Sequence, residues 1–135
     1  MNQWHQVFGA DPQSVPMARR QLREVLATWG WSDTDRLVDL LVICSELVAN
    51  AVEHASEACD EVQVHLREVD GDCLIEVVDR RPDLLPPQES CPRGERGRGL
   101  LIVRDLAEDV NVVTMKESKK VCARVLLRAL PEAAA

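Results

Sequence analysis

The strongest constraint on the fold is a change of hydrophobic period near residue 61. Before this point, apolar residues recur every three or four positions, which is the spacing of amphipathic helices. After it, Val62, Val64 and Leu66 alternate with polar residues, which is typical of a strand with one buried face. The sequence therefore predicts helices and a sheet that share one core in two layers.

The first half of the chain predicts a short edge strand at residues 4–8 and then two helices. Ser14 is the predicted N-cap of the first helix, which runs to Trp29, and Gly30 is its predicted stop. The second helix is predicted over 32–55, with acidic residues in its first turn, where the helix dipole favours negative charge.

The second half predicts two hairpins separated by a loop and a helix. Asp70-Gly71 is a tight-turn signal for the first hairpin, and residues 116–119 form the predicted turn of the second. Residues 80–98 contain four prolines and no periodicity, which predicts a long loop of the kind that is often functional. A helix is predicted over 99–107.

These elements predict an α+β fold class: a two-layer α/β sandwich whose mostly antiparallel sheet is covered on one face by three helices. At 135 residues, the chain is predicted to be a single domain spanning 1–135.

Composition argues against several classes of function. Lys and Arg number 16 and Asp and Glu 23, so the net charge of −7 disfavours binding to nucleic acid. No apolar run is long enough to cross a bilayer and no secretion signal is evident, which predicts a cytoplasmic protein without membrane contact. Five cysteines without a C-x-x-C pair indicate reduced thiols, and Cys44 and Cys122 are predicted to lie in the core.

One candidate site lies on the second predicted helix. Glu46, Asn50 and His54 are spaced by four residues, so they fall within about 80° of the helix surface. A carboxylate and an amide one turn apart can bind a hard cation such as Mg²⁺ or orient a nucleophile. The alternative interpretation is a solvated helix face.

Two further patterns follow along the chain. Asp79 directly follows a predicted strand over 73–78 and is able to accept a hydrogen bond from an exocyclic amine, although aspartate is also a common turn residue. Gly97-Arg98-Gly99 stands at the predicted start of a helix, where backbone N–H groups can bind phosphate, although a lone glycine pair is weak evidence. Residues 79–104 contain six arginines and four acidic residues, a local charge of +2 that suits a compact anion.

In their order and spacing, these patterns resemble the motifs of the GHKL ATP-binding superfamily. The segment from Glu46 to His54 resembles its N-box, Asp79 stands where that family has its adenine-reading aspartate, and Gly97 to Leu100 resembles the following glycine box. Within the superfamily the chain is most similar to the anti-sigma factor serine/threonine-protein kinases, in particular the small regulatory ATP-binding proteins of streptomycetes. The resemblance covers about residues 8–128.

The resemblance implies a Bergerat-type fold with ATP and Mg²⁺ as cofactors. It implies that Glu46 is the general base and that Asn50 is the metal ligand. The nucleotide-binding residues that it implies are Asn50, His54, Asp79, Arg81, Gly97, Arg98, Gly99 and Leu100. The implied partners are a sigma factor and an anti-anti-sigma (STAS-type) protein that carries the acceptor serine, and a homodimer is left open.

The chain departs from the family pattern directly after Asp79. The family's first glycine box reads D-x-G-x-G, whereas residues 79–83 here read Asp-Arg-Arg-Pro-Asp. Arg81 adds a long side chain at that point, and Pro82 removes a backbone donor. Three hypotheses therefore stay open: an ATP-dependent kinase, a non-catalytic partner-switching protein of the same fold with weak or lost nucleotide binding, or a GHKL-type domain with an unrelated regulatory partner.

Overall fold

A computed structural model of the chain describes residues 2–31, 35–54, 60–80 and 95–126. The elements in chain order are β1 (Gln3–Gly9), α1 (Ser14–Thr28), α2 (Asp35–His54), β2 (Glu61–Val69), β3 (Asp72–Asp79), α3 (Glu95–Leu106), β4 (Asp109–Thr114) and β5 (Lys119–Leu126). The five described strands form one sheet in the order β1-β2-β3-β5-β4, and each neighbouring pair is antiparallel. This arrangement, with three described helices, confirms the predicted α+β fold class.

The sheet buries one of its faces against the helices. On β3 and β5, buried residues alternate with partly exposed ones, as the period of two requires. The buried apolar residues of the sheet are Phe8, Val62, Val64, Leu66, Cys73, Ile75, Val77, Val121, Ala123 and Val125. We call the other side, which carries His65, Glu76 and Cys122, the open face.

The end of α1 follows the glycine rule that the sequence indicated. Gly30 has a φ of +88°, a conformation that favours glycine because it has no Cβ. The N–H of Gly30 donates to the carbonyl of Ala27 at 3.1 Å, and the N–H of Trp31 donates to the carbonyl of Leu26 at 2.8 Å. This pair of bonds is a Schellman motif, so the prediction that Gly30 stops the helix is confirmed.

The start of α1 differs from the prediction by one residue. Gln13 is the N-cap and Ser14 is the first helical residue. The Ser14 hydroxyl is buried and donates to the carbonyl oxygen of Gly9 at 2.7 Å. Because this hydroxyl bonds to the end of β1 instead of to the helix, the prediction that Ser14 caps α1 is wrong.

The structure confirms the predicted turn of the first hairpin, but the turn of the second hairpin ends earlier than predicted. Asp70 and Gly71 both have positive φ, 53° and 87°, which is the type I′ turn that Asp-Gly predicts. In the second hairpin, the N–H of Met115 donates to the carbonyl of Ser118 at 2.8 Å, and Lys119 is already the first residue of β5. Lys119 was predicted in the turn, but it belongs to β5 and is in phase with the buried residues of that strand.

The third helix begins earlier than predicted. α3 starts at Glu95, so Gly97, Arg98, Gly99 and Leu100 lie within the helix instead of at the junction with a loop. Glycine costs about 1 kcal/mol in a helix, and packing offsets such a cost: Val103 is buried and α3 contacts α2 and β4. The remainder of the predicted loop, residues 81–94, lies outside the described residues.

Of the two cysteines predicted to lie in the core, the structure buries Cys44 but not Cys122. Cys44 is buried in the core, as predicted, and burial raises the pKa of its thiol to about 12. Cys122 lies on the open face and is partly exposed, so its predicted core position is wrong. The reason is its phase on β5, because Val121 and Ala123 on either side of it take the buried positions.

Candidate functional site

The candidate site is built on α2, the central helix of the structure. α2 contacts both other described helices and the strands β2, β3 and β5. One side of α2 is therefore buried, while Glu46, Asn50 and His54 are partly exposed at the border of that buried side. A polar stripe in this position is neither core nor fully solvated, so it is able to contact a ligand from water while its backbone is held rigidly.

Asn50 supplies a direct indication of a ligand. Its side-chain nitrogen Nδ2 is buried, and within the described part of the chain it is the buried side-chain polar atom that has no hydrogen-bond partner. A buried polar group without a partner is costly, so such groups call for an explanation, and a bound ligand is one. Rotating the amide by 180° would bring its oxygen to the same place, and an amide oxygen suits Mg²⁺.

Within the described residues, no three His, Cys, Asp or Glu side chains are grouped so as to hold a metal ion. A Mg²⁺ ion near Asn50 would therefore take most of its ligands from a bound nucleotide and water. That is the usual manner in which Mg²⁺ binds with substrate phosphates. The residues present therefore fit Mg²⁺ that arrives with a nucleotide.

Asp79 is the last residue of β3 and lies on its buried face. It follows Cys73, Ile75 and Val77 in the alternation, so its carboxylate points towards the helices and not into a solvent-exposed turn. Burying a carboxylate is costly unless it is paired, so Asp79 requires a partner in this position. The structure supplies one that the sequence did not predict.

The partner of Asp79 is Lys119. The two residues are directly opposite one another in the β3–β5 pairing. Lys119 Nζ lies 3.2 Å from Asp79 Oδ2 and 3.0 Å from Nδ1 of His54 on α2. We call these three side chains the Asp79–Lys119–His54 network, because they connect the end of the sheet to the polar stripe of α2.

The contact between Lys119 and His54 has a clear direction. A lysine ammonium has donors and no acceptor, so Lys119 donates and Nδ1 of His54 accepts. The ammonium neutralises the Asp79 carboxylate, which makes the burial of both charges tolerable. One signal in the sequence pointed to Lys119: it is in phase with Val121 and Ala123, at a position that a strand pattern assigns to the core.

The remaining predicted residues fall into two groups. Gly97, Arg98, Gly99 and Leu100 lie in the first two turns of α3, and α3 contacts α2. Backbone N–H groups in the first turn of a helix have no acceptor within the helix, and the helix dipole favours an anion there. Arg81 lies outside the described residues.

The sequence model of the histidine kinase-like ATPase domain family matches residues 8–125, which is most of the chain. The chain therefore belongs to this family of ATPase domains. No curated protein matches the sequence.

Among solved structures, the chain is similar to the crystal structure of the RsbU and RsbW domains of Rv1364c from Mycobacterium tuberculosis. The TM-score is 0.70 and the sequence identity is 24%. The match covers 96% of this chain but 34% of that chain, so this chain spans about a third of the length of the matched one. At this identity the likeness concerns the fold. In the part of the chain that the structure describes, no helix has the length and apolar character needed to cross a membrane.

Proposed function

We propose that this chain is an ATP- and Mg²⁺-dependent serine/threonine kinase of a partner-switching system, which phosphorylates an anti-anti-sigma (STAS-type) protein and also binds a sigma factor. The observation that carries the proposal is the polar stripe of α2, with the buried and unpartnered Nδ2 of Asn50, joined by the network to Asp79 at the end of β3. On the composition, we propose a cytoplasmic single domain, without membrane or nucleic-acid contact.

The proposed roles follow from the chemistry of each side chain. Bound Mg²⁺-ATP would supply the phosphoryl group and the charge that neutralises it. Asn50 would bind the metal, Asp79 would bind the adenine amine, and the start of α3 would lie over the phosphates. Glu46 would accept the proton of the acceptor hydroxyl on a carboxylate oxygen. Phosphoryl transfer depends mainly on positioning and charge stabilisation, so no nucleophilic side chain of this chain is needed.

Nucleotide binding is tested by titrating a fluorescent ATP analogue, with Mg²⁺, against the wild-type chain and Asp79→Asn. We expect saturable binding by the wild type and a loss in the variant, because a neutral amide oxygen is a weaker acceptor than a carboxylate oxygen. Asp109→Asn is the matched control, since Asp109 is an exposed residue of β4. Absence of saturable binding by the wild type would contradict the kinase proposal.

Catalysis is tested by mixing the chain with candidate anti-anti-sigma proteins and labelled ATP. Glu46→Gln should slow transfer by about 10²-fold to 10⁴-fold, the usual contribution of a general base, while leaving nucleotide affinity nearly unchanged. Glu53→Gln makes the same change on an exposed position of the same helix and should transfer normally. Equal transfer by wild type and Glu46→Gln would remove Glu46 from the mechanism.

A second function is favoured by one observation, the ion pair that already occupies Asp79. If this pair excludes nucleotide, the same fold would act by binding its protein partners without phosphoryl transfer. A stable complex with a sigma factor, combined with no transfer to any candidate acceptor, would support this second function. Capture from a native lysate with mass spectrometry would identify which partners to test.

A further inference from the structure

We infer that Lys119 sets the nucleotide affinity of the proposed site: its ammonium is bound to Asp79, and the amine of an adenine base competes with it for that carboxylate. The inference rests on the proposed function, because it concerns the same site. It adds a residue that none of the sequence motifs contains, and it gives the direction in which replacing this residue changes binding.

The position of the ammonium supports the exchange. The backbone of Lys119 lies in β5, directly opposite Asp79, and its side chain extends so that Nζ contacts His54 on α2. The ammonium therefore lies between the sheet and the helix, in the space that separates Asp79 from the polar stripe. A base that contacts Asp79 from the side of α2 meets this ammonium first. Asp79 and Lys119 are both buried, so their pair is not loosened by water.

The exchange replaces one N–H donor by another, but it is not neutral in charge. The ammonium and the exocyclic amine of adenine both donate to a carboxylate oxygen, and only the ammonium also cancels its charge. Binding must therefore separate a buried ion pair, which opposes it. Once Lys119 is replaced by an uncharged residue, this opposing contribution is gone, so the adenine amine no longer competes with an ammonium for Asp79.

Ordinary electrostatics predicts the opposite result, which makes the inference testable. A positive charge near a triphosphate attracts it, so removing a lysine from a nucleotide site normally weakens binding. Under the exchange, removing Lys119 strengthens binding. Two probes separate these contributions: Mg²⁺-ATP carries both base and phosphates, whereas adenosine is uncharged and reports on the base end alone.

The experiment measures the affinity of both probes, by calorimetry or fluorescence at pH 8, for the wild type, Lys119→Met and Lys119→Gln. We expect Lys119→Met to bind each probe about tenfold more tightly or better, a change of one logarithmic unit in Kd. The affinity of Lys119→Gln should lie between those of the wild type and Lys119→Met, because the glutamine amide is uncharged but still able to donate to Asp79. The glutamine variant also keeps the test decisive if Lys119→Met does not fold.

Lys120→Met is the matched control, since Lys120 is the next residue and pairs with Glu76 on the open face. It makes the same change in net charge and should bind both probes as the wild type does. Equal or weaker binding by both Lys119 variants, with a wild type that binds, would overturn the inference and leave the proposed function standing. No binding by the wild type or by any variant would overturn the proposed function and the inference with it.

Discussion

Two ion pairs on neighbouring residues of β5 have the same length and opposite surroundings. Lys119 Nζ lies 3.2 Å from Asp79 on the buried face, and Lys120 Nζ lies 3.2 Å from Glu76 on the open face. The exposed fractions of the side chains are 1% and 7% in the first pair, but 34% and 13% in the second. The distance between the charges is thus the same, whereas the access of water to them differs.

This difference teaches that geometry alone does not give the energetic value of a charge pair. In the open-face pair, water and salt screen the attraction, and either residue can be solvated if its partner is lost. In the buried pair, neither charge has that alternative, so removing one partner leaves an unsolvated charge. The buried pair is therefore the one whose loss should affect the whole fold.

The largest expected effect is that of Asp79→Leu, which leaves the Lys119 ammonium buried without its counter-ion. We expect the free energy of unfolding to fall by about 3–5 kcal/mol. Urea denaturation followed by circular dichroism would measure this. The double variant Asp79→Leu, Lys119→Met removes both charges and should recover most of the loss, so a double variant as unstable as the single one would contradict this account.

The next effect compares thiols on the two faces. Burial raises the pKa of Cys73, on the buried face, to about 12 and the pKa of Cys122, on the open face, to about 11. For each unit by which the pKa of a thiol is lower, the reactive thiolate is about tenfold more abundant. Cys122 is also more accessible to solvent than the buried Cys73. Alkylation of the native chain at pH 8, resolved by peptide mass spectrometry, should therefore label Cys122 about tenfold faster or more. Equal rates in the native chain would contradict this prediction; equal rates are expected after denaturation.

A smaller effect is expected for Lys120→Met, which breaks the ion pair on the open face. Its cost should be about 0–1 kcal/mol of unfolding free energy, because the Glu76 carboxylate can be solvated and Arg67 Nε is 3.9 Å from it. The same denaturation assay, repeated at high salt, should reduce the difference further. A cost as large as that of breaking the buried pair would show that burial does not decide the value of these pairs.

The smallest effect concerns His65 on the open face. Partial burial lowers its pKa below the ordinary value of 6.5, and His5, Lys120 and Arg67 lower it further, against an opposing contribution from Glu76. As pH falls below 6.5, the unfolded chain takes up a proton that the folded chain does not, so stability decreases until the folded pKa is passed. The thermal midpoint should therefore fall on acidification from pH 7 to 5. His65→Gln should remove part of this slope, and an unchanged slope would contradict the assignment.

Much of the fold was predictable because its signals are local. The change of period separates helices from strands, Asp70-Gly71 requires a type I′ turn, and Gly30 marks a helix end. The errors arise where contacts outside an element outweigh its local preferences. Ser14 was predicted to cap its helix but bonds to Gly9 at the end of β1, and α3 was predicted to begin at Gly99 but begins at Glu95.

The candidate site was predictable only in part. The stripe of α2 follows from helical spacing, and the position of Asp79 follows from strand alternation. The pairing of Lys119 with Asp79 could not be predicted, because it depends on the register between β3 and β5, which joins residues 40 positions apart. Nothing in the sequence near either residue states which strand the other will pair with.

The pairing of Asp79 with Lys119 also selects the alignment of the two strands during folding. A slip of one residue is already excluded by the hydrophobic pattern, because it would turn Val121 and Ala123 to the open face. A shift of the register by two residues keeps every side chain on its own face of the sheet. Apolar burial alone therefore distinguishes it poorly from the native register. The shift would, however, place Asp79 beside Val121 or Glu117 instead of Lys119, leaving a carboxylate without a counter-ion. The charge pair therefore disfavours the two-residue slip, which apolar packing alone would tolerate. It thus helps to select one register between β3 and β5.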